Sequence, residues 1–72
     1  MGSKYPILTP REIINALEKT GFYFVSQKGS HKKYSNGNKT VIIPNHDEVA
    51  KGTLKSILTM ADISIDDFMK LL

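Results

Sequence analysis

The stretch FYFVSQKGSHKKYSNGNKTVIIP, residues 22–44, determines the fold class of this chain. Three runs within it, aromatic, β-branched or alternating in character, predict β-strands. Lys28-Gly29 predicts a tight turn, and Asn36-Gly37-Asn38 predicts a hairpin turn with positive φ at both central residues. The predicted strands are residues 22–27, 30–35 and 40–43, the last closed by Pro44. Three strands joined by short turns predict an antiparallel meander.

A helix is predicted before these strands, over residues 10–20. Thr9 is its expected N-cap, Pro10 takes the first helical position, and Glu12 completes a capping box. Gly21 then supplies a left-handed stop.

Two more helices are predicted after the strands. Thr53 is expected to cap a helix that runs to Met60, following a polar loop over residues 45–52. Ser64 is expected to begin a short third helix that carries Phe68 on its apolar side. Phe22, Phe24 and Phe68 are expected to lie in the core rather than to serve as platforms for base stacking. The order helix, three strands, helix, terminal helical turn predicts a two-layer α+β domain, with the helices on one face of the sheet. The same α-β-β-β-α order occurs in double-stranded-RNA-binding domains.

The 72 residues are expected to form a single domain, with residues 1–8 flexible or derived from the expression vector. A core of this size leaves no room for a deep, enclosed site, which favours a polymer substrate on an open face. No apolar run approaches the roughly 20 residues that span a bilayer. The chain has no cysteine, which is compatible with the reducing cytoplasm where we expect it to act.

Charge is distributed unevenly along the chain. Residues 1–40 carry seven basic and two acidic side chains, a net charge of +5, whereas residues 41–72 carry a net charge of −2. A basic segment of this kind is typical of proteins that bind polyanions, although many ordinary domains also carry a solvated lysine face.

The segment Lys28-Gly29-Ser30-His31-Lys32-Lys33 places one imidazole at the start of a strand among three lysines. Imidazole exchanges protons near neutral pH, and the lysines are positioned to contact phosphate. These groups suit attack by an RNA 2′-hydroxyl on its own adjacent phosphate, which needs proton transfer and cations but no metal. DNA lacks that internal nucleophile and should not be cleaved.

Other interpretations of these residues remain open. A lone histidine in a basic strand is most often a surface residue, and a non-catalytic RNA-binding module would use the same basic face. His46, in Pro44-Asn45-His46, is a possible second acid or base, a phosphate contact or a polar loop residue. Two histidines on separate loops, without cysteine, do not predict a zinc site, because catalytic zinc normally needs three protein ligands. Strand alternation groups His31 with Lys33, and Lys32 with an inward-facing Tyr34.

Several short motifs occur in an order that identifies a resemblance. They are Gly21-Phe22, the segment 28–31, Pro44-x-His46, Gly52-Thr53-Leu54-x-x-Ile57-Leu58, and Ala61-x-Ile63 before the Phe68-bearing tail. In this order and spacing, residues 9–72 resemble the HicA family of toxin–antitoxin ribonucleases.

The resemblance implies an mRNA-cleaving toxin with a double-stranded-RNA-binding-like fold and no cofactor, held inactive by a cognate HicB antitoxin. It places the catalytic histidine at His31, in a motif that Gly29 and Ser30 complete. With the flanking lysines added, the candidate RNA contacts are Lys28, Gly29, Ser30, Lys32 and Lys33. A degenerate toxin that only binds its antitoxin is a further alternative. Asp62 stands where the family commonly has glycine. Because aspartate tolerates left-handed backbone, the turn is expected to form.

Overall fold

The computed structural model describes residues 5–72. The elements are α1 (Pro10–Glu18), β1 (Tyr23–Lys28), β2 (His31–Ser35), β3 (Thr40–Pro44), α2 (Lys51–Ala61) and α3 (Ile65–Met69). The strands form one antiparallel sheet in the order β1-β2-β3. The helices contact it chiefly through β3. The predicted α+β class and the α-β-β-β-α order are confirmed.

Two of the three predicted helix caps are present. The backbone N–H of Glu12 donates to Thr9 Oγ1 over 3.2 Å, and the Thr9 N–H donates to Glu12 Oε1 over 2.9 Å, which is the predicted capping box. The Asp67 N–H likewise donates to Ser64 Oγ over 3.1 Å.

The predicted cap at Thr53 is wrong. Helix α2 begins at Lys51 after Ala50, which provides no side-chain cap, so Thr53 lies within the first turn. The reason is a tertiary contact. The Val49 N–H donates to the Leu8 carbonyl oxygen over 2.7 Å, which positions the chain immediately before Ala50.

The contact between Leu8 and Val49 involves the segment 1–8, which was expected to be flexible or derived from the expression vector. Residues 1–4 lie outside the described residues. Leu8, in contrast, is buried with only 8% of its surface exposed, and its carbonyl oxygen accepts the hydrogen bond from Val49. This contact joins the residue before the N-cap of α1 to the residue before the N-cap of α2.

The turn between β2 and β3 differs from the prediction. Within residues 36–38 only Gly37 has a positive φ, at 89°, so the expected left-handed pair of central residues is wrong. Instead, Asn36 Oδ1 accepts hydrogen bonds from the backbone N–H groups of Asn38 and Lys39. The asparagine side chain therefore closes the turn, as in other Asx turns.

The C-terminal end of α2 confirms the expectation for Asp62. This residue adopts left-handed backbone, with φ 60° and ψ 43°, and its N–H donates to the Thr59 carbonyl oxygen over 3.2 Å. Ile63 then donates to Leu58 across the same turn, over 3.0 Å. The turn forms with aspartate in the position that glycine ordinarily takes.

The hydrophobic core lies between the helices and one face of β2 and β3. Phe22, Tyr34 and Phe68 are buried, as predicted. Phe24, also predicted to lie in the core, is 51% exposed. The prediction fails because β1 is an edge strand outside the helical cover, so that every one of its residues is exposed.

Strand pairing assigns the side chains to two faces of the sheet. Lys28 pairs with His31, and Lys33 pairs with both Ser26 and Ile42. Because side chains alternate along a strand and align across neighbouring strands, these five residues share one face. We call it the open face, because all five are exposed. The opposite face, which the helices partly cover, is the helix face.

A β-bulge in β1 changes the face of the sheet on which Phe24 lies. The pairing passes from Phe24–Tyr34 directly to Ser26–Lys33, so that Val25 is an extra residue in β1. An extra residue in a strand reverses the face of the sheet on which each following side chain of that strand lies. As a result, Phe24 lies on the helix face with Tyr34, instead of on the open face with Ser26.

Candidate functional site

The predicted site begins at the turn between β1 and β2. Gly29 has a φ of +59°, in the left-handed region where most L-residues are strained. Gln27 Nε2 donates to the Gly29 carbonyl oxygen over 2.9 Å and braces the turn. His31 is the first residue of β2. The turn therefore presents the imidazole at one end of the sheet.

Three cationic or titratable side chains meet on the open face. Lys28, His31 and Lys33 line one depression of about 460 Å³, together with Ser26 and Ile42. Lys28 is the cross-strand partner of His31, and Lys33 lies two residues further along β2. No carboxylate lines this depression. The arrangement offers a proton-transfer group between positive charges, on a surface that a polymer can reach.

Ser26 and Ile42 were not among the predicted site residues. Once the two-residue turn at Gly29 and Ser30 sets Lys28 opposite His31, counting along both strands places Ser26 opposite Lys33. The length of this turn was therefore enough to predict that Ser26 belongs to the site. Ile42 requires the β2–β3 register, which depends on the length of the Asn36 turn.

Lys32 lies apart from the other two lysines. As strand alternation predicted, it shares the helix face with the buried Tyr34, and both line a groove beside α1. Arg11 and Asn45 line the same groove, although neither was predicted as a site residue. Their sequence positions are distant from β2, so no local pattern indicates that they converge.

The second predicted segment lies next to the first. His31 pairs with Pro44, and the Asn45 N–H donates to the Ser30 carbonyl oxygen over 2.6 Å. His46 follows in the exposed loop after β3. Neither imidazole accepts or donates a hydrogen bond within residues 5–72. Both rings are therefore free to meet a substrate.

Tyr34 is the group on the helix face whose pKa is displaced. Burial raises the pKa of the Tyr34 hydroxyl above its ordinary value, and the negative charge of Glu18 raises it further. Tyr34 therefore keeps its proton throughout the physiological range, and its hydroxyl can donate a hydrogen bond into the groove.

Within residues 5–72, no group of three or more histidine, cysteine, aspartate or glutamate side chains is arranged to hold a metal ion. Nor does any helix in that range have the length and apolar character needed to cross a membrane.

Comparison with protein-family models gives a match. A family model described as the HicA toxin of bacterial toxin–antitoxin systems matches residues 10–63, more than half of the chain. The matched range includes both histidines, the whole sheet and α2. No curated protein matches the chain.

Proposed function

The chain belongs to the HicA toxin family of bacterial toxin–antitoxin systems, and on that premise we propose that it is a metal-independent endoribonuclease that cleaves mRNA. A toxin of this kind has a cognate antitoxin as its partner. The observation that carries the proposal is the clustering of Lys28, His31 and Lys33 in one depression on the open face.

In the proposed reaction, the RNA provides its own nucleophile. The 2′-hydroxyl oxygen attacks the adjacent phosphorus, and the bond from phosphorus to the 5′-oxygen of the next nucleotide breaks. The 2′-hydroxyl loses a proton and the departing 5′-oxygen gains one, so the products carry a 2′,3′-cyclic phosphate and a 5′-hydroxyl. His31 assists by transferring a proton, a role that typically accelerates a reaction about 10²–10⁴-fold.

The two lysines on the open face stabilise the developing charge. Negative charge accumulates on the phosphate oxygens in the transition state, and fixed cations aimed at those oxygens lower its energy. Lys28 lies opposite His31 on the neighbouring strand, and Lys33 lies two residues from His31 on the same strand. Both are exposed, so they remain accessible to a phosphate on a long chain.

The turn residues have positioning roles. Gly29 adopts the left-handed backbone that ends β1, and Ser30 accepts the Asn45 hydrogen bond through its carbonyl oxygen. Both place backbone next to the phosphate site, where Ser30 Oγ is available as a donor. His46 is a secondary group, close enough in the chain to Pro44 to contact the same RNA.

We propose that the antitoxin is of the HicB type and covers the open face. The face carries Lys28 and Lys33 with no carboxylate in the depression between them. A partner that presents carboxylates there would neutralise the lysines and exclude RNA from His31 in one step.

The test compares wild-type protein with His31→Ala on single-stranded RNA in EDTA, scoring cleavage and binding separately. Thr40→Ala, an exposed substitution at the other end of β3, serves as the matched control. We expect cleavage by the wild type and by Thr40→Ala, and binding without cleavage by His31→Ala. Binding without cleavage by all three proteins would overturn the nuclease proposal and favour a non-catalytic RNA-binding module.

A further inference from the structure

A groove of about 290 Å³ lies on the helix face between α1 and β2, away from the depression that contains His31. We call it the α1 groove. Its polar lining consists of Arg11, Asn15, Glu18, Lys32, Tyr34 and Asn45. Small-molecule sites typically measure roughly 300–1,000 Å³, so this groove matches one small planar group and not a duplex.

An exposed aromatic ring stands beside the groove. Phe24 packs against Tyr34 with ring centroids 5.7 Å apart and an interplanar angle of 78°. Tyr34 is only 6% exposed, whereas Phe24 is 51% exposed. The buried ring therefore holds the open one in place. A fixed, half-open phenyl ring is the platform on which single-stranded nucleic acid stacks its bases.

The polar groups of the groove are unpaired. Within residues 5–72, none of the six side chains in its polar lining forms a hydrogen bond or a salt bridge with another protein group. The Tyr34 hydroxyl is among them: no buried polar side-chain atom of the described residues lacks a partner, so this hydroxyl reaches the surface although the residue is buried. Unpaired donors and acceptors that converge on a small cavity are available to a ligand, and together they match the mixed edge of a nucleobase.

The charged side chains of opposite sign lie at opposite ends of the groove. Arg11 and Glu18 lie about 10 Å apart along α1, at 1.5 Å per residue. Glu18 is close enough to Tyr34 for its charge to raise the pKa of that hydroxyl. Asn45 is tied to Ser30 by its backbone N–H. The cationic end of the groove therefore adjoins the His31 turn, and the anionic end adjoins Tyr34.

We propose that the α1 groove binds one unpaired base of the RNA, stacked on Phe24 with its polar edge held by Glu18 and Asn15. This inference rests on the proposed ribonuclease function and adds a specificity site to it. Arg11 and Lys32 contact the backbone phosphate at the cationic end. The RNA strand then passes over the end of β2 towards His31 on the open face.

The carboxylate makes the site selective. Glu18 can accept hydrogen bonds but cannot donate them while ionised, so it favours a base whose exposed edge carries N–H groups. Guanine presents adjacent imino and amino donors on that edge and fits best. Glu18 also repels phosphate, which directs the backbone towards Arg11 and Lys32.

The experiment measures binding with short 2′-O-methyl oligonucleotides that differ in base composition, by fluorescence anisotropy. The methyl group blocks the nucleophile, so binding is independent of cleavage. Phe24→Ala is compared with Tyr23→Ala, its neighbour in β1, which is 53% exposed and lies on the open face. Phe24→Leu keeps an apolar contact with Tyr34 and guards against a folding defect. Circular dichroism checks every variant.

We expect Phe24→Ala to bind about 5- to 150-fold more weakly, the effect of losing one base stack, with Tyr23→Ala close to wild type. Glu18→Gln should reduce the preference for guanine while leaving the other bases nearly unchanged. The proposed base site would be contradicted if the wild type did not bind, or if wild type and Phe24→Ala bound equally. Weaker binding by Tyr23→Ala alone would also contradict it.

The two proposals fail separately in these assays. If wild-type protein cleaves RNA but Phe24→Ala binds as tightly as wild type, the nuclease function stands and the base site is wrong. If the oligonucleotides discriminate Phe24→Ala from Tyr23→Ala but no protein cleaves RNA, the base site stands and the nuclease function is wrong.

Discussion

The backbone N–H of Asn45 donates a hydrogen bond to the carbonyl oxygen of Ser30 over 2.6 Å. This bond joins the turn before β2 to the loop after β3, and so brings the segments of His31 and His46 to one end of the sheet. It also connects the open face, where His31 lies, to the α1 groove, which Asn45 lines.

The two histidines should contribute unequally to cleavage. His31→Ala should lower kcat about 10²–10⁴-fold, the usual effect of one acid–base group, with little change in RNA affinity. His46→Ala should change kcat by less than about tenfold, because His46 lies in the loop beyond the lysine cluster. Single-turnover cleavage of a labelled RNA gives both values. A larger loss in His46→Ala than in His31→Ala would contradict the assignment.

The lysines of the open face should determine the salt dependence of RNA binding. For single strands, each phosphate contact contributes a slope of about −0.7 to the plot of log affinity against log salt concentration. Lys28→Ala and Lys33→Ala should each make the slope less steep by about that amount. Lys55→Ala, which removes an exposed charge from α2, is the control and should leave it unchanged. Equal slopes in all three variants would place the RNA elsewhere.

Asp62 should limit stability. It adopts left-handed backbone with φ 60°, a conformation that costs a residue with a Cβ roughly 1 kcal/mol more than glycine. Asp62→Gly should therefore raise the free energy of unfolding by up to about 1 kcal/mol, and Asp62→Ala should lower it. Urea denaturation measures both variants. An Asp62→Ala variant as stable as Asp62→Gly would show that the backbone conformation carries no cost here.

Tyr34 should make stability decline at alkaline pH. Burial, and then the charge of Glu18, raises its pKa in the folded protein above the ordinary value of 10.0. The unfolded chain therefore releases this proton first, so the contribution to stability is present below about pH 10 and is lost as pH rises further. The free energy of unfolding should fall more steeply above pH 10 in wild type than in Tyr34→Phe.

Much of this fold could be predicted because its signals are local. Thr9, Glu12 and Ser64 reveal helix starts through hydrogen bonds within one turn, and Gly29 and Gly37 mark the strand ends. One error is local: the Asn36 side chain closes the hairpin turn in place of the expected left-handed pair. The other two involve distant parts of the chain. Thr53 loses its predicted cap because Leu8 pairs with Val49, and Phe24 leaves the core because the helices do not cover β1. Neither contact leaves a trace in the neighbouring sequence.

The candidate site, too, could be predicted only where its signals are local. Lys28, His31 and Lys33 could be grouped from one short turn and strand alternation, and strand pairing places them together on the open face. The α1 groove could not be predicted, because Arg11, Lys32 and Asn45 come from three separate elements or loops. The position of Phe24 beside it also depends on the bulge at Val25, which no turn or proline in the sequence marks.

The antitoxin complex should be sensitive to ionic strength if its carboxylates meet the open face. Charge pairs at an exposed surface are screened over roughly 10 Å at 0.1 M salt, so affinity should fall as salt rises. Lys28→Glu with Lys33→Glu should weaken the complex strongly, because like charges would then face each other, whereas Lys55→Glu on α2 should not. Surface plasmon resonance over a salt series measures both effects. An affinity independent of salt and of the Lys28 and Lys33 reversals would place the antitoxin on another surface, and His31 would then remain accessible to RNA within the complex.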